Sequence, residues 1–205
     1  MADELSFRVL FVVLYILFLF PRGYYRFVKP RPEDSEGSEI ADRTTHGGIA
    51  AALSIIILGF LVSSVLYLVG LSWMDWFQVP QYPIWLRLAG VFLVLIVIPL
   101  LTWIHRELGK QYSAVLEIKQ DHQLITTGPY KRVRHPMYTV LILFSFGMSL
   151  VTANALIIIF SVLLMLVFPF WVRIEEKKMI ETFGDEYIEY MKRTGRFFPS
   201  ISRTE

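Results

Sequence analysis

The chain has 205 residues, 55% of them hydrophobic and 19% charged, with a mean hydropathy of +0.51. That is more apolar than a water-soluble domain, which sits near 45–50% apolar and about 25% charged, and it excludes disorder for most of the chain. The net charge of +2 gives no reason to expect nucleic-acid binding, and the absence of Cys excludes a disulfide framework, a thiolate metal site and a cysteine nucleophile.

The apolar residues are gathered into five segments. Leu5–Phe20 carries Arg8 as its one charge, and acidic residues precede it. It lacks a basic start and a small-residue cleavage site, so it reads as a retained membrane helix, not a signal peptide. Gly47–Leu71 and Ile84–Ile104 follow, with Arg87 the one charge in the pair. Met137–Val151 and Ala155–Val172 are uncharged, and Thr152-Ala153-Asn154 between them predicts a tight helical hairpin. A bilayer crossing takes roughly 20 apolar residues. The sequence therefore predicts an all-α, polytopic membrane protein with five transmembrane helices. Gly47-Gly48, with Ala50, Ala51, Ala52 and Ser54, reads as a surface for close helix approach.

Basic residues are distributed asymmetrically. Stretch 22–46 holds five, 105–136 holds six and the region from Arg173 holds seven, whereas Ser72–Pro83 and 152–154 hold none. The basic flanks mark the cytoplasmic side. This places the N-terminus outside and the site inside, in an inner membrane if the source is bacterial or archaeal. The loop 26–46 is then cytoplasmic. Trp73, Trp76, Tyr82 and Trp85 fit an outer aromatic belt, and Tyr24, Tyr25, Trp103 and Trp171 an inner one. From Arg173 to Arg193 the pattern is amphipathic, with Gly184 as a break, and predicts a cytoplasmic helical tail lying on the membrane surface.

Two stretches carry possible chemistry. In 124–138, Gly128-Pro129 makes a turn, and Arg134-His135-Pro136 abuts the fourth segment, with Pro136 suited to the first helical position. Free N–H groups at such a helix start favour an anionic ligand group. Glu175-Glu176 follows the fifth segment so closely that a partner or ligand is expected. His135 and Glu176 are candidate proton acceptors. The four His residues, at 46, 105, 122 and 135, lack metal-ligand spacing, so no metal is expected. Pro99 and Pro169 predict kinks near the cytoplasmic end of their helices, which would open a lateral cleft.

Taken together, Gly-Pro-Tyr-x3-Arg-His-Pro-x-Tyr at 128–138, Glu-Glu-x6-Phe-Gly-Asp-Glu-Tyr-x2-Tyr at 175–190 and Arg196-Phe-Phe-Pro199 resemble the isoprenylcysteine carboxyl methyltransferase family. Membrane phospholipid N-methyltransferases and small-thiol methyltransferases are its relatives. The resemblance covers the chain from Gly109 onward and implies a compact, prokaryotic-type member. It implies S-adenosylmethionine as cofactor, with His122, Leu124 and Ile125 lining the pocket and Tyr130 packing on it. His135, Pro136, Met137 and Tyr138 would enclose the cofactor, Glu175 would hold its ribose hydroxyls or amino group, and Glu117 would add a polar contact. Residues 1–104 would then form a three-helix membrane region and 105–205 a cofactor module containing the hairpin 137–172. Where the family commonly carries an arginine for the substrate carboxylate, four residues before the glutamate, this chain has Trp171. Arg173, about 200° of helical rotation away, is the nearest substitute. A lipid-like or prenylcysteine-like acceptor follows, with carboxyl O-methylation slightly ahead of phospholipid N- or thiol S-methylation. A membrane reductase using NADPH and a non-catalytic lipid-binding protein are the competing classes.

Overall fold

The computed structural model describes residues 2–25, 47–108 and 124–200. Glu117, His122 and the loop 26–46 lie outside the described residues. The elements in order are α1 (Ala2–Gly23), α2 (Gly47–Val69), α3 (Ile84–Leu108), α4 (Pro136–Thr152), α5 (Ala155–Phe183) and α6 (Asp185–Arg193), with short 3-10 turns at Ser72–Phe77 and Gly128–Lys131. Among the described residues extended pairing is limited to two isolated bridges, Gln78 with Asn154 and Val133 with Gly195.

Among the described residues four helices are long and apolar enough to cross a membrane: α1, α2, α3 and α5. The fifth expected span, α4, has 17 residues. At 1.5 Å per residue it reaches about 26 Å, short of a hydrocarbon core of about 30 Å. It forms the short arm of the expected hairpin. Pro136 opens it, where no N–H is needed. Ala153 closes it in the left-handed region at φ +51, and the Asn154 side chain accepts from Leu156 N at 3.1 Å to start α5. Helix α5 runs for 29 residues, about 43 Å, so its last turns project beyond any bilayer-spanning portion. The expected break at Gly184 is present, at φ +54, but the residues before it continue α5. Helix α6 alone is the separate amphipathic piece, burying Tyr187 and Tyr190.

Helix α4 packs against both α3 and α5, α1 lies on α3, and α2 lies on α5. The tightest of these contacts is between α3 and α4. A Cβ on Gly90 would sit 2.6 Å from the Gly147 carbonyl, and one on Gly147 would sit 2.7 Å from Val94 Cγ2. These two glycines let the backbones meet. Gly47 and Gly48, expected to do so, meet no neighbouring helix among the described residues. The α3–α4 contact orients the short helix whose N-terminus carries His135.

At the opposite end of the bundle Arg87 is buried. Its Nε donates to Val151 O at 2.8 Å and Nη1 to Glu4 Oε2 at 2.9 Å, and its guanidinium lies 3.9 Å above the Phe7 ring. Tyr67 donates to the other Glu4 oxygen at 2.8 Å. Arg87 thereby caps a carbonyl in the last turn of α4, which has no helical partner, and ties α1, α2 and α3 together there.

Candidate functional site

The last turns of α5 continue its buried stripe. Ile157, Ser161, Leu164, Phe168, Val172 and Glu176 are all buried at spacings of three or four. Glu176 therefore points into the protein, where it needs cations. Arg134 Nε donates to its Oε1 at 2.9 Å and Arg196 Nη2 to its Oε2 at 2.6 Å. His135 Nε2 lies 3.4 Å from the same Oε1. Burial raises this carboxyl, but the contacts from His135, Arg196 and Arg134 overcome that and hold it at about 2, below its ordinary 4.5. Its contribution to stability is thus complete above about pH 4.5 and fades as pH falls toward 2. A carboxylate so fully engaged cannot serve as a proton acceptor near neutrality, and this corrects the expectation for Glu176.

Glu175 is one residue, about 100°, off that stripe. It is half-buried, and its Oε2 lies 3.7 Å from His135 Nδ1 with no hydrogen-bond partner. One turn earlier on the same face, Trp171 Nε1 donates to the Tyr138 hydroxyl at 3.0 Å. Tyr138 stands between His135 and Phe168, with ring centroids 5.9 and 5.1 Å away. Glu175, His135, Tyr138 and Trp171 form one contiguous surface at the N-terminus of α4. Pro136 is buried and Met137 half-buried beside them.

A strap closes the other side. After α6, Gly195 bridges Val133 in parallel, and Arg134 N and His135 N donate to Gly195 O and Arg196 O at 2.8 and 3.0 Å. Thr139 Oγ1 donates to Phe197 O at 2.8 Å and Tyr190 OH to Tyr130 O at 2.6 Å. Arg134 Nη1 also donates to the carbonyls of Met191, at 3.0 Å, and Thr194. Tyr130 thus joins the site through the strap. Leu124 and Ile125 are half-buried on the stretch leading to the Gly128 turn. Arg173 does not join. It is exposed, with its guanidinium 5.5 Å from the Phe170 ring.

The phospholipid methyltransferase family model matches residues 85–186, from α3 to the start of α6. Protein-S-isoprenylcysteine O-methyltransferase of Saccharomyces cerevisiae is 38% identical over 96 residues, 45% of this chain and 40% of that protein. Over about half its length the chain is thus similar to the isoprenylcysteine carboxyl methyltransferase-like family. A second such protein, from Xenopus laevis, is 31% identical over 121 residues, 57% of this chain and 42% of the relative. A cobalt-zinc-cadmium resistance protein of Cupriavidus metallidurans is 32% identical over 85 residues, 41% of this chain and 39% of the relative. The chain matches about two fifths of the length of these curated relatives. Its fold is similar to that of the eukaryotic intramembrane Ras methyltransferase, isoprenylcysteine carboxyl methyltransferase, with a TM-score of 0.55 at 18% identity, covering 93% of this chain and 63% of that one.

The site suits a cofactor that brings hydrogen-bond donors. A buried carboxylate oxygen without a partner and an adjacent imidazole are complementary to an ammonium or to sugar hydroxyls, both of which S-adenosylmethionine carries. Sequence reasoning quoted Arg134 and Arg196 in its motifs but gave them no role at Glu176, and it missed the strap. The signal for an inward Glu176 was available, because the α5 stripe extended by one step of four lands on it.

Proposed function

We propose that this protein is an S-adenosylmethionine-dependent methyltransferase of the membrane, acting on a lipid-like or prenylcysteine-like acceptor. The observation that carries the reading is the unpartnered Glu175 Oε2 beside His135, buried at the start of a membrane-adjacent helix. The cofactor, when bound, supplies a methyl group on a sulfonium, ready for in-line displacement. Glu175 and His135 bind and orient its polar end, Tyr138 and Pro136 wall it in, and the strap excludes water, which such a transfer requires. Tyr130, Met137, Leu124 and Ile125 border the same volume, and His122 and Glu117 are assigned to it by motif. The cofactor module is 105–205, joined to the membrane region 1–104. In this reading α4 counts as a fifth crossing, shortened because its partner α5 carries it. The site faces the cytoplasm, as the basic flanks indicate.

Acceptor chemistry follows from what faces the site. Carboxyl O-methylation needs no general base, whereas an amine or thiol must shed a proton, and His135 is the nearest group to take it. The relatives named protein-S-isoprenylcysteine O-methyltransferase favour a prenylated acid. The exposed Arg173 gives a carboxylate no obvious partner, which brings phospholipid amines and small thiols close behind. Transfer of labelled methyl groups in detergent to prenylcysteine analogues, phosphatidylethanolamine and short thiols tests this. Turnover of a lipid-like acceptor is expected, slowed by bulky substitutions beside Pro99 and Pro169. Turnover confined to water-soluble acceptors and indifferent to those substitutions defeats the lateral entry of a membrane substrate.

A further inference from the structure

His135 occupies an awkward position. It precedes α4 with φ −123 and ψ 56, and no side-chain cap bond fixes it. Its carbonyl opens the α4 ladder through Thr139 N, and its own N–H is taken by Arg196 O at 3.0 Å. The direction of the imidazole is therefore set by a backbone that the strap holds. The same Arg196 sends its guanidinium to Glu176, the carboxylate against the far edge of the His135 ring. One residue thus fixes His135 twice, through its carbonyl and through Glu176.

Gly195 makes this hold possible. A Cβ there would sit 1.7 Å from Phe198 O, so the strap doubles back at a point where no side chain fits. Arg134 completes the arrangement, reaching from the residue before His135 to Glu176 and to the strap carbonyls of Met191 and Thr194. Arg196 itself is about one-third exposed on its side chain.

We propose that Arg196 is a positioning residue of the cofactor site, acting through His135 and Glu176. This rests on the methyltransferase reading above. The test uses full-length protein in detergent and S-adenosylhomocysteine as probe. Arg196→Gln is expected to lower affinity at least tenfold, chiefly by faster dissociation, and Arg196→Lys to recover it to within about threefold of the parent. A merely structural role would lower the melting temperature and the folded fraction but leave the affinity of the folded protein unchanged. Gly195→Ala, which changes no charge, should weaken binding in the same direction. The proposal is overturned if folded Arg196→Gln or Gly195→Ala binds like the parent. If the unaltered protein binds no S-adenosylhomocysteine, the methyltransferase reading itself fails, a different result from a variant without effect.

Discussion

Glu175→Ala and His135→Ala are each expected to weaken S-adenosylhomocysteine binding by about ten- to a hundredfold. The estimate takes one charge-assisted hydrogen bond, roughly 1.5–3 kcal/mol, from each variant. Glu175 should behave chiefly as a ligand contact. Its Oε2 makes no hydrogen bond, and its neighbours in the protein are His135 and the Tyr138 hydroxyl. Melting temperature should therefore move less for Glu175→Ala than for His135→Ala, while affinity falls. His135→Ala should lose some stability as well, because the ring is buried against Tyr138 and Glu176. Calorimetry paired with thermal melts separates the two effects. Parent-like affinity in both folded variants would show that the pocket lies elsewhere.

Arg87→Ala carries the largest expected loss of stability, about 3 kcal/mol or more. Removing one partner of a buried ion pair typically costs about 3–5 kcal/mol, because the other is left uncompensated. Glu4 retains partial access to solvent, which puts the estimate at the low end of that range. The Val151 carbonyl also loses its donor at the end of α4. The double variant Arg87→Met with Glu4→Met should lose less than the two single replacements summed, since no charge is then stranded. Unfolding in mixed micelles reads the difference. A change below about 0.5 kcal/mol for Arg87→Ala, the range of an ordinary surface substitution, would mean that the cluster does not hold the helices.

Much of this architecture is legible in the sequence because membrane helices announce themselves by uninterrupted apolar length. The hairpin turn at 152–154 and the break at Gly184 are likewise visible, each marked by residues with particular backbone habits. What escapes is the partnering. Gly90 and Gly147 are 57 positions apart and carry no pattern that would pair them, whereas the more conspicuous Gly47-Gly48 meets no other helix among the described residues. The adjacent glutamates look equivalent in a string of letters. The 100° between them on a helix makes one an internal counter-ion and leaves the other with an oxygen that makes no hydrogen bond. Arg134 and Arg196 stand in the motifs with nothing to show that they share a carboxylate, and the parallel contact of Val133 with Gly195 is too short to leave any periodicity.

The strap also sets an order of events during biosynthesis. Arg196 follows Glu176 by twenty residues, and His135 precedes it by sixty-one. At about 5–20 residues per second, Glu176 is made roughly one to four seconds before its second cation. Helices α1 to α5 are all synthesised ahead of that moment. Completion of the pocket therefore waits on a segment made after all of α1 to α5, and a chain cut short before Arg196 would lack the residue that fixes His135.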